Sequence, residues 1–205
     1  MTTVVFDVGN VLLDWDARRI FRDHFETDTQ IESFFDEIDF HAWNLEQDRG
    51  RTWADGVAHL SAAHPHHAPL ITRADSHWHE SVSGPIHRSV QALESLTEAG
   101  HPVYAITNFS AEKWAECRDR FPFLTLFRDV VVSAHERLVK PDPAIYRVLL
   151  DRNGLTAGDC LFIDDSAANV AGARAIGMDA ILFRDPGDLV RDLRDRGLPV
   201  GDGRR

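Results

Sequence analysis

Apolar residues follow two rhythms along this chain. Short unbroken runs, Val4 to Val8, then HPVYAITN, DVVVSA, DCLFIDD and AILF, read as strands buried on both faces. Between them VQALESLTEAG, AEKWAECRDRF, PAIYRVLLDRNG and NVAGARAIG place apolar residues at helical spacing, and Gly100 ends the first of these segments as a helix stop. From HPVYAITN onward the order is βαβαβαβ, which predicts a doubly wound parallel sheet with helices on both faces. The region from about Ala17 to His87 is different: RRIFRDHF, TQIESFFDEIDFHAW and TWADGVAHLSAAH predict helices, punctuated later by Pro65, Pro69, Gly84 and Pro85, and no strand is expected there. The fold class is therefore α/β, with a helical insert after the first strand. The closing GDGRR is expected to be a frayed tail.

Composition narrows the range of partners. A chain of 205 residues, 43% hydrophobic, suffices for one α/β domain plus an insert. A formal net charge of −11, from 33 acidic and 22 basic residues, argues against a nucleic-acid groove and an anionic membrane surface. The expected partner is a small molecule; an anionic one would need local cations or a metal to hold it. Cys117 and Cys160 are far apart and outside any metal-type spacing, which suits a reducing cytosol. The chain enters a strand pattern at once and has no apolar run of membrane-spanning length, so a cytoplasmic protein, monomeric or homodimeric, is expected.

Polar residues gather where the predicted strands end. The first ends at Asp7 in VVFDVGN, the second at Thr107 and Asn108, the third leads through Ser133 to Lys140, and the fourth ends in Asp164 and Asp165. In a parallel sheet these tips share one edge, so distant residues can converge in one crevice. Three carboxylates and a lysine suit a hard divalent cation beside an anion, and small hydroxyl and amide groups can hold phosphate oxygens.

These motifs, FDVGN, ITN, VKPDPAIY and FIDDSAAN in order, resemble the haloacid dehalogenase (HAD) superfamily over nearly the whole chain. Their wording is closest to the branch with the epoxide hydrolase N-terminal phosphatase domain and bacterial α-D-glucose-1-phosphate phosphatase. LEQDRGRTWADGVAHL likewise resembles a cap segment of that branch, where an acidic residue and a glycine precede a helix. The resemblance implies a HAD-like Rossmannoid core over residues 1–14 and 88–205, and a small all-helical C1-type cap over 15–87. It further implies that Asp7 attacks phosphorus and becomes a phosphoaspartate. Mg²⁺ would lie among Asp7, the Gly9 carbonyl and Asp165, with Asp164 and Asn169 in or near the outer ring of ligands. Thr107 and the amide of Asn108 would hold the phosphate, and Lys140 would balance charge.

Two positions depart from that pattern. Most phosphatases of the superfamily carry a second Asp two residues after the nucleophile, which protonates the leaving oxygen; here the residue is Gly9. Asp14, Asp16 or a cap histidine could supply the proton, an anomeric sugar 1-phosphate could leave with little protonation, or the protein could have little phosphatase activity. The readily leaving anomeric oxygen is the expectation. Arg137 stands where relatives usually have glycine, which affects a turn and removes no catalytic group.

Other functions compete. A 2-haloacid dehalogenase uses the same Asp nucleophile without a metal, but has no need of paired Asp164 and Asp165. A non-catalytic phosphate-ligand-binding protein would have no reason to keep Asp7, Lys140 and Asp165 together. His64, His66, His67, His77 and His79 lack the spacing of a zinc site and read as ordinary surface or hinge residues. Trp15, Trp43, Trp53 and Trp78 are expected mostly in the core of the insert, one or two facing a substrate.

Overall fold

The computed structural model describes residues 1–201; residues 202–205, and with them most of the expected tail, lie outside the described residues. The main sheet has five parallel strands in the order β5-β4-β1-β6-β7: β1 (Thr3–Phe6), β4 (Val103–Thr107), β5 (Val130–Val132), β6 (Cys160–Asp164) and β7 (Asp179–Leu182). Central β1 pairs Val4 with Val103 on one side and with Leu161 on the other.

Alternation along the buried strands divides two cores. Val4 and Phe6 pack into the larger one, Val5 into the smaller. Helices α8 (Pro143–Asn153) and α9 (Ala167–Ala175) cover the smaller core with Tyr146, Leu149, Val170 and Ala173. The opposite face is covered by α5 (His87–Glu98), α6 (Ala111–Arg120) and α10 (Pro186–Asp195) through Leu93, Trp114 and Leu193. A single turn of helix, α7 (Ser133–Glu136), follows β5 directly and ends at Arg137, whose φ of 57° is the left-handed conformation that glycine favours.

Between β1 and α5 lie four helices: α1 (Asp28–Glu37), α2 (Phe40–Asp48), α3 (Trp53–Ala63) and α4 (Ala68–Ser76). Their aromatic interior, Phe21, Phe34, Phe35 and Phe40, is continuous with the larger core of the sheet. Three local expectations are corrected here. RRIFRDHF forms only a short 3-10 segment, Ala17–Phe21, capped by Asp16. TQIESFFDEIDFHAW breaks into α1 and α2 because Asp39 turns left-handed, at φ 50°, a conformation that Asp tolerates better than most residues. A strand also occurs where none is expected: β3 (Val82–Pro85) pairs antiparallel with β2 (Leu13–Trp15), forming a two-stranded ribbon at the base of the insert.

Candidate active site

The sheet places its reactive groups by its own termination. Chain order runs from β1 outward through β4 and β5, then returns to β6 and β7, so the connections diverge beside β1 and leave a crevice at the strand ends. Asp7 directly follows β1, its N–H still donating to Ile163 O at 2.8 Å as the ladder closes. Thr107 and Asp164 are the last residues of β4 and β6.

Lys140 is the hub of this crevice. Its Nζ lies 2.8 Å from Asp7 Oδ1 and 2.7 Å from Asp164 Oδ2. The lysine side chain is 1% exposed, Asp164 is fully buried and Asp7 10% exposed, so these charges are compensated by one another rather than by water. Asn108 holds the lysine's backbone from both sides: Lys140 N donates to Asn108 Oδ1 at 2.8 Å, and Asn108 Nδ2 donates to Lys140 O at 3.2 Å. Asn169 Nδ2 donates to both oxygens of Asp164, at 3.0 and 3.1 Å, and Ser166 N donates to Asp164 Oδ1 at 2.8 Å. Ser166 caps α9, its side chain accepting from Asn169 N.

The third carboxylate is Asp165. One oxygen each of Asp7, Asp164 and Asp165 falls within 4.8 Å of the others. Asn10, left-handed at φ 55°, accepts from Trp15 N at 3.1 Å and hydrogen-bonds Asp165. Three carboxylates thus face one ammonium. Burial pushes Asp7 up to about 7, against the pull of Lys140, and burial together with Asp164 raises Asp165. In Lys140 burial works toward the neutral amine but is outweighed by Asp7 and Asp164, so its pKa stands above the ordinary range. An all-oxygen set short of one cation fits a hard divalent ion such as Mg²⁺.

These groups open into a cavity of about 230 Å³ whose lining includes Asp7, Gly9, Thr107, Asn108, Lys140, Asp165 and Asn169 from the sheet edge. The opposite wall carries Trp15, Asn44, Asp48, Trp53 and Trp78, with Phe109 and Ser110 between. Three of the four tryptophans therefore face the cavity. Trp43 is buried behind them, its ring 5.3 Å from that of Trp53 and its Nε1 donating to Gly56 O at 2.8 Å.

Asp14 and Asp16 do not line this cavity, nor does any described histidine. Hydrogen bonds from Ser83 and Arg19 hold Asp14 below the ordinary carboxylate range, and Asp16 is lowered by Arg18 against the effect of its burial. Carboxylates clamped in their ionised form are poor proton donors near neutrality. His66 and His67 lie elsewhere on the insert, each with Nε2 3.1 Å from Glu37 Oε1. Sequence reasoning missed Asp48 and the tether through Asn10. The only signal for Asp48 was the LEQDRG segment before a helix.

The family model for haloacid dehalogenase-like hydrolases matches residues 1–177, and the chain belongs to that family. It is 25% identical to sesquiterpene phosphatase astK of Aspergillus oryzae over 93% of each chain. It is 41% identical to flavin mononucleotide hydrolase 1 of Arabidopsis thaliana over 54% of this chain, but spans only 44% of that protein's length. Among solved structures, the HAD family enzyme BT-2542 of Bacteroides thetaiotaomicron, in complex with magnesium and inorganic phosphate, superposes with a TM-score of 0.68 at 20% identity, covering 92% of this chain and 98% of that one. Among the described residues no helix is long and apolar enough to cross a membrane.

Proposed function

We propose that this hydrolase is a Mg²⁺-dependent phosphomonoesterase that cleaves a small soluble phosphate ester through a phosphoaspartate on Asp7. The observation that carries the reading is the convergence of Asp7, Asp164 and Asp165 around Lys140 at one end of an aromatic-walled cavity. Asp7 attacks phosphorus with the oxygen not held by Lys140 and Val8 N, both of which engage Oδ1. Thr107 Oγ1 and the Asn108 N–H hold the non-bridging oxygens, and Lys140 favours the ionised form of Asp7 and aligns it. Asp7, the Gly9 carbonyl and Asp165 hold the cation, with Asp164 and Asn169 behind them. Bound there, Mg²⁺ supplies positive charge to the transferring phosphoryl oxygens. Residues 15–87 act as a cap that excludes water, and Trp15, Trp53 and Trp78 offer faces to the organic part of the substrate. A sugar 1-phosphate is the finer form of this proposal. A monomer or homodimer working in the cytoplasm suits two free buried cysteines.

The similarity to proteins named as a phosphatase and a nucleotide hydrolase supports hydrolysis of phosphate esters. The test is a screen of sugar phosphates, nucleotides and 2-chloropropionate, with Mg²⁺ or with excess EDTA, on wild type and Asp7→Asn. Phosphate release that needs Mg²⁺ and vanishes in a folded Asp7→Asn variant is expected. Metal-independent dehalogenation would replace the reading with the dehalogenase one, and inertness toward every substrate would leave a binding protein.

A further inference from the structure

Phosphoryl transfer from an alkyl ester leaves an alkoxide, which needs a proton as the bond breaks. The cavity contains few groups that could give one. Asp7 is engaged as nucleophile, with Lys140 and Val8 N on one oxygen. Asp164 is fully buried behind the wall and held by Lys140, Asn169 and Ser166. Asp165 belongs to the carboxylate trio, and Gly9 has no side chain. That leaves Asp48, the cavity's one carboxyl outside the trio, carried on the last turn of α2 in the opposite wall.

We propose that Asp48 is the general acid and base of this site, delivered by the insert in place of the side chain that Gly9 lacks. The inference rests on the phosphatase reading above. As Asp7 Oδ forms its bond to phosphorus, the bond from phosphorus to the leaving oxygen breaks; its electron pair stays on that oxygen, which takes the Asp48 proton. Asp48, now ionised, accepts a proton from the water that attacks the phosphoaspartate. Inorganic phosphate leaves, and both aspartates return to their starting states.

The surroundings of Asp48 suit a carboxyl that holds its proton. It makes no ion pair among the described residues, and the arginines flanking it are engaged elsewhere: Arg49 with Glu46 at 2.6 Å, Arg51 with Gln47 Oε1 at 2.6 Å and Trp43 O at 2.8 Å. Lys140 across the cavity is the charge that acts on it, and the Ser110 N–H is its hydrogen-bond donor. Burial pushes Asp48 up to about 7 in spite of both. A donor near neutrality combines a useful protonated fraction with a useful driving force.

A merely structural role is the competing account, since the bond from Ser110 joins insert to core. Asp48→Asn separates the two, because the amide oxygen still accepts from Ser110 while the proton is gone. The experiment compares p-nitrophenyl phosphate and propyl phosphate, across pH, with wild type, Asp48→Asn and Asp48→Asn/Gly9→Asp; turnover is read as kcat/KM, which covers the steps up to departure of the leaving group and not the later hydrolysis of the phosphoaspartate that both esters share. Wild-type turnover of propyl phosphate should fall as pH rises through about 7, where the donor ionises, while p-nitrophenyl phosphate shows no such fall. Asp48→Asn should lose about 10²–10⁴-fold on the alkyl ester, and less than about tenfold on the aryl one. Gly9→Asp should restore part of the alkyl rate: a Cβ at Gly9 meets nothing within 4 Å, and its φ is not among the positive ones. Equal losses on both esters, or unchanged alkyl turnover in a folded variant, would overturn the role. If the Asn variant fails to fold, the wild-type profile decides: an alkyl rate that does not fall above neutrality also overturns it. A wild type inert on both esters overturns the phosphatase reading itself.

Discussion

At the scale of single residues, the legible members of the candidate site lie where strands end, and Asp48, which only the structure brings to the cavity, lies on a helix. Asp7, Thr107 and Asp164 each terminate an apolar run, so their place at one sheet edge follows from strand order alone. Asp48 ends a helix among other charged residues; beyond the resemblance of the LEQDRG segment, nothing in FHAWNLEQDRG separates it from Glu46, which is equally half-buried and pairs with Arg49. Its distinction is tertiary, because it comes from what α6 and Lys140 place opposite. That has a thermodynamic consequence. A carboxyl whose folded pKa stands near 7, against about 3.9 in an unfolded chain, makes the folded state the stronger proton binder between those values. Stability therefore falls as pH rises across that window and levels above it. Asp48→Asn removes this contribution, so the melting temperature of the variant relative to wild type should rise from pH 5 to pH 8. A difference that stays constant across thermal melts at the two pH values would show that Asp48 is ionised throughout.

At the scale of elements, the buried strands and their crossover helices were legible because each is a single rhythm several residues long. The β2–β3 ribbon was not, since Leu13–Trp15 and Val82–Pro85 are too short to show alternation and the second contains Gly84 and Pro85. It is held instead by side chains: Arg19 donates to Asp14 and Ser81 carbonyls and to the Asp14 carboxylate, which also accepts from Ser83. The turn after α2 shows a second feature that no local pattern reveals. Gly50 has φ +98° and lies so close to α7 that a Cβ would meet Ala134 O at 2.8 Å. Gly50→Ala must strain its own backbone and push α2 away from the core, moving Asp48 with it. The expected result is a loss of about 1–3 kcal/mol of stability, the usual range for a special backbone position, with turnover falling further than stability alone explains. Denaturant midpoints and kcat on one purified sample check both, and a variant with wild-type kcat would mean that this contact does not position the cavity wall.

For the whole molecule, a net charge of −11 makes long-range attraction of the proposed phosphate ester a poor means of capture, so the cavity must do the holding. The insert closes over the sheet edge by gripping α6, the helix that starts just past Thr107 and Asn108. Trp53 Nε1 donates to Ser110 Oγ at 2.8 Å, and Trp53 N to Glu112 at 3.0 Å. Lys113 Nζ lies 2.8 Å from Asp75 Oδ1 and 2.9 Å from Glu116, with the rings of Trp53 and Trp78 at 5.2 and 5.9 Å. The Lys113 side chain is only 7% exposed, so its ion pairs are shielded more than ordinary surface bridges. Lys113 thus ties the insert's Asp75 to the core beneath two of the cavity's aromatic walls. Lys113→Met keeps the apolar stem and removes the charge, which separates the tie from simple packing. If the grip keeps the cavity closed, KM should rise about 5–30-fold, the equivalent of one or two kcal/mol, with a smaller change in kcat. Amide exchange over residues 53–78 should quicken in the same variant, while exchange in β1 and β6 stays slow. Unchanged KM together with unchanged exchange would show that the Lys113 tie does not hold the insert closed, and would leave the apolar core shared by insert and sheet to hold the two parts together.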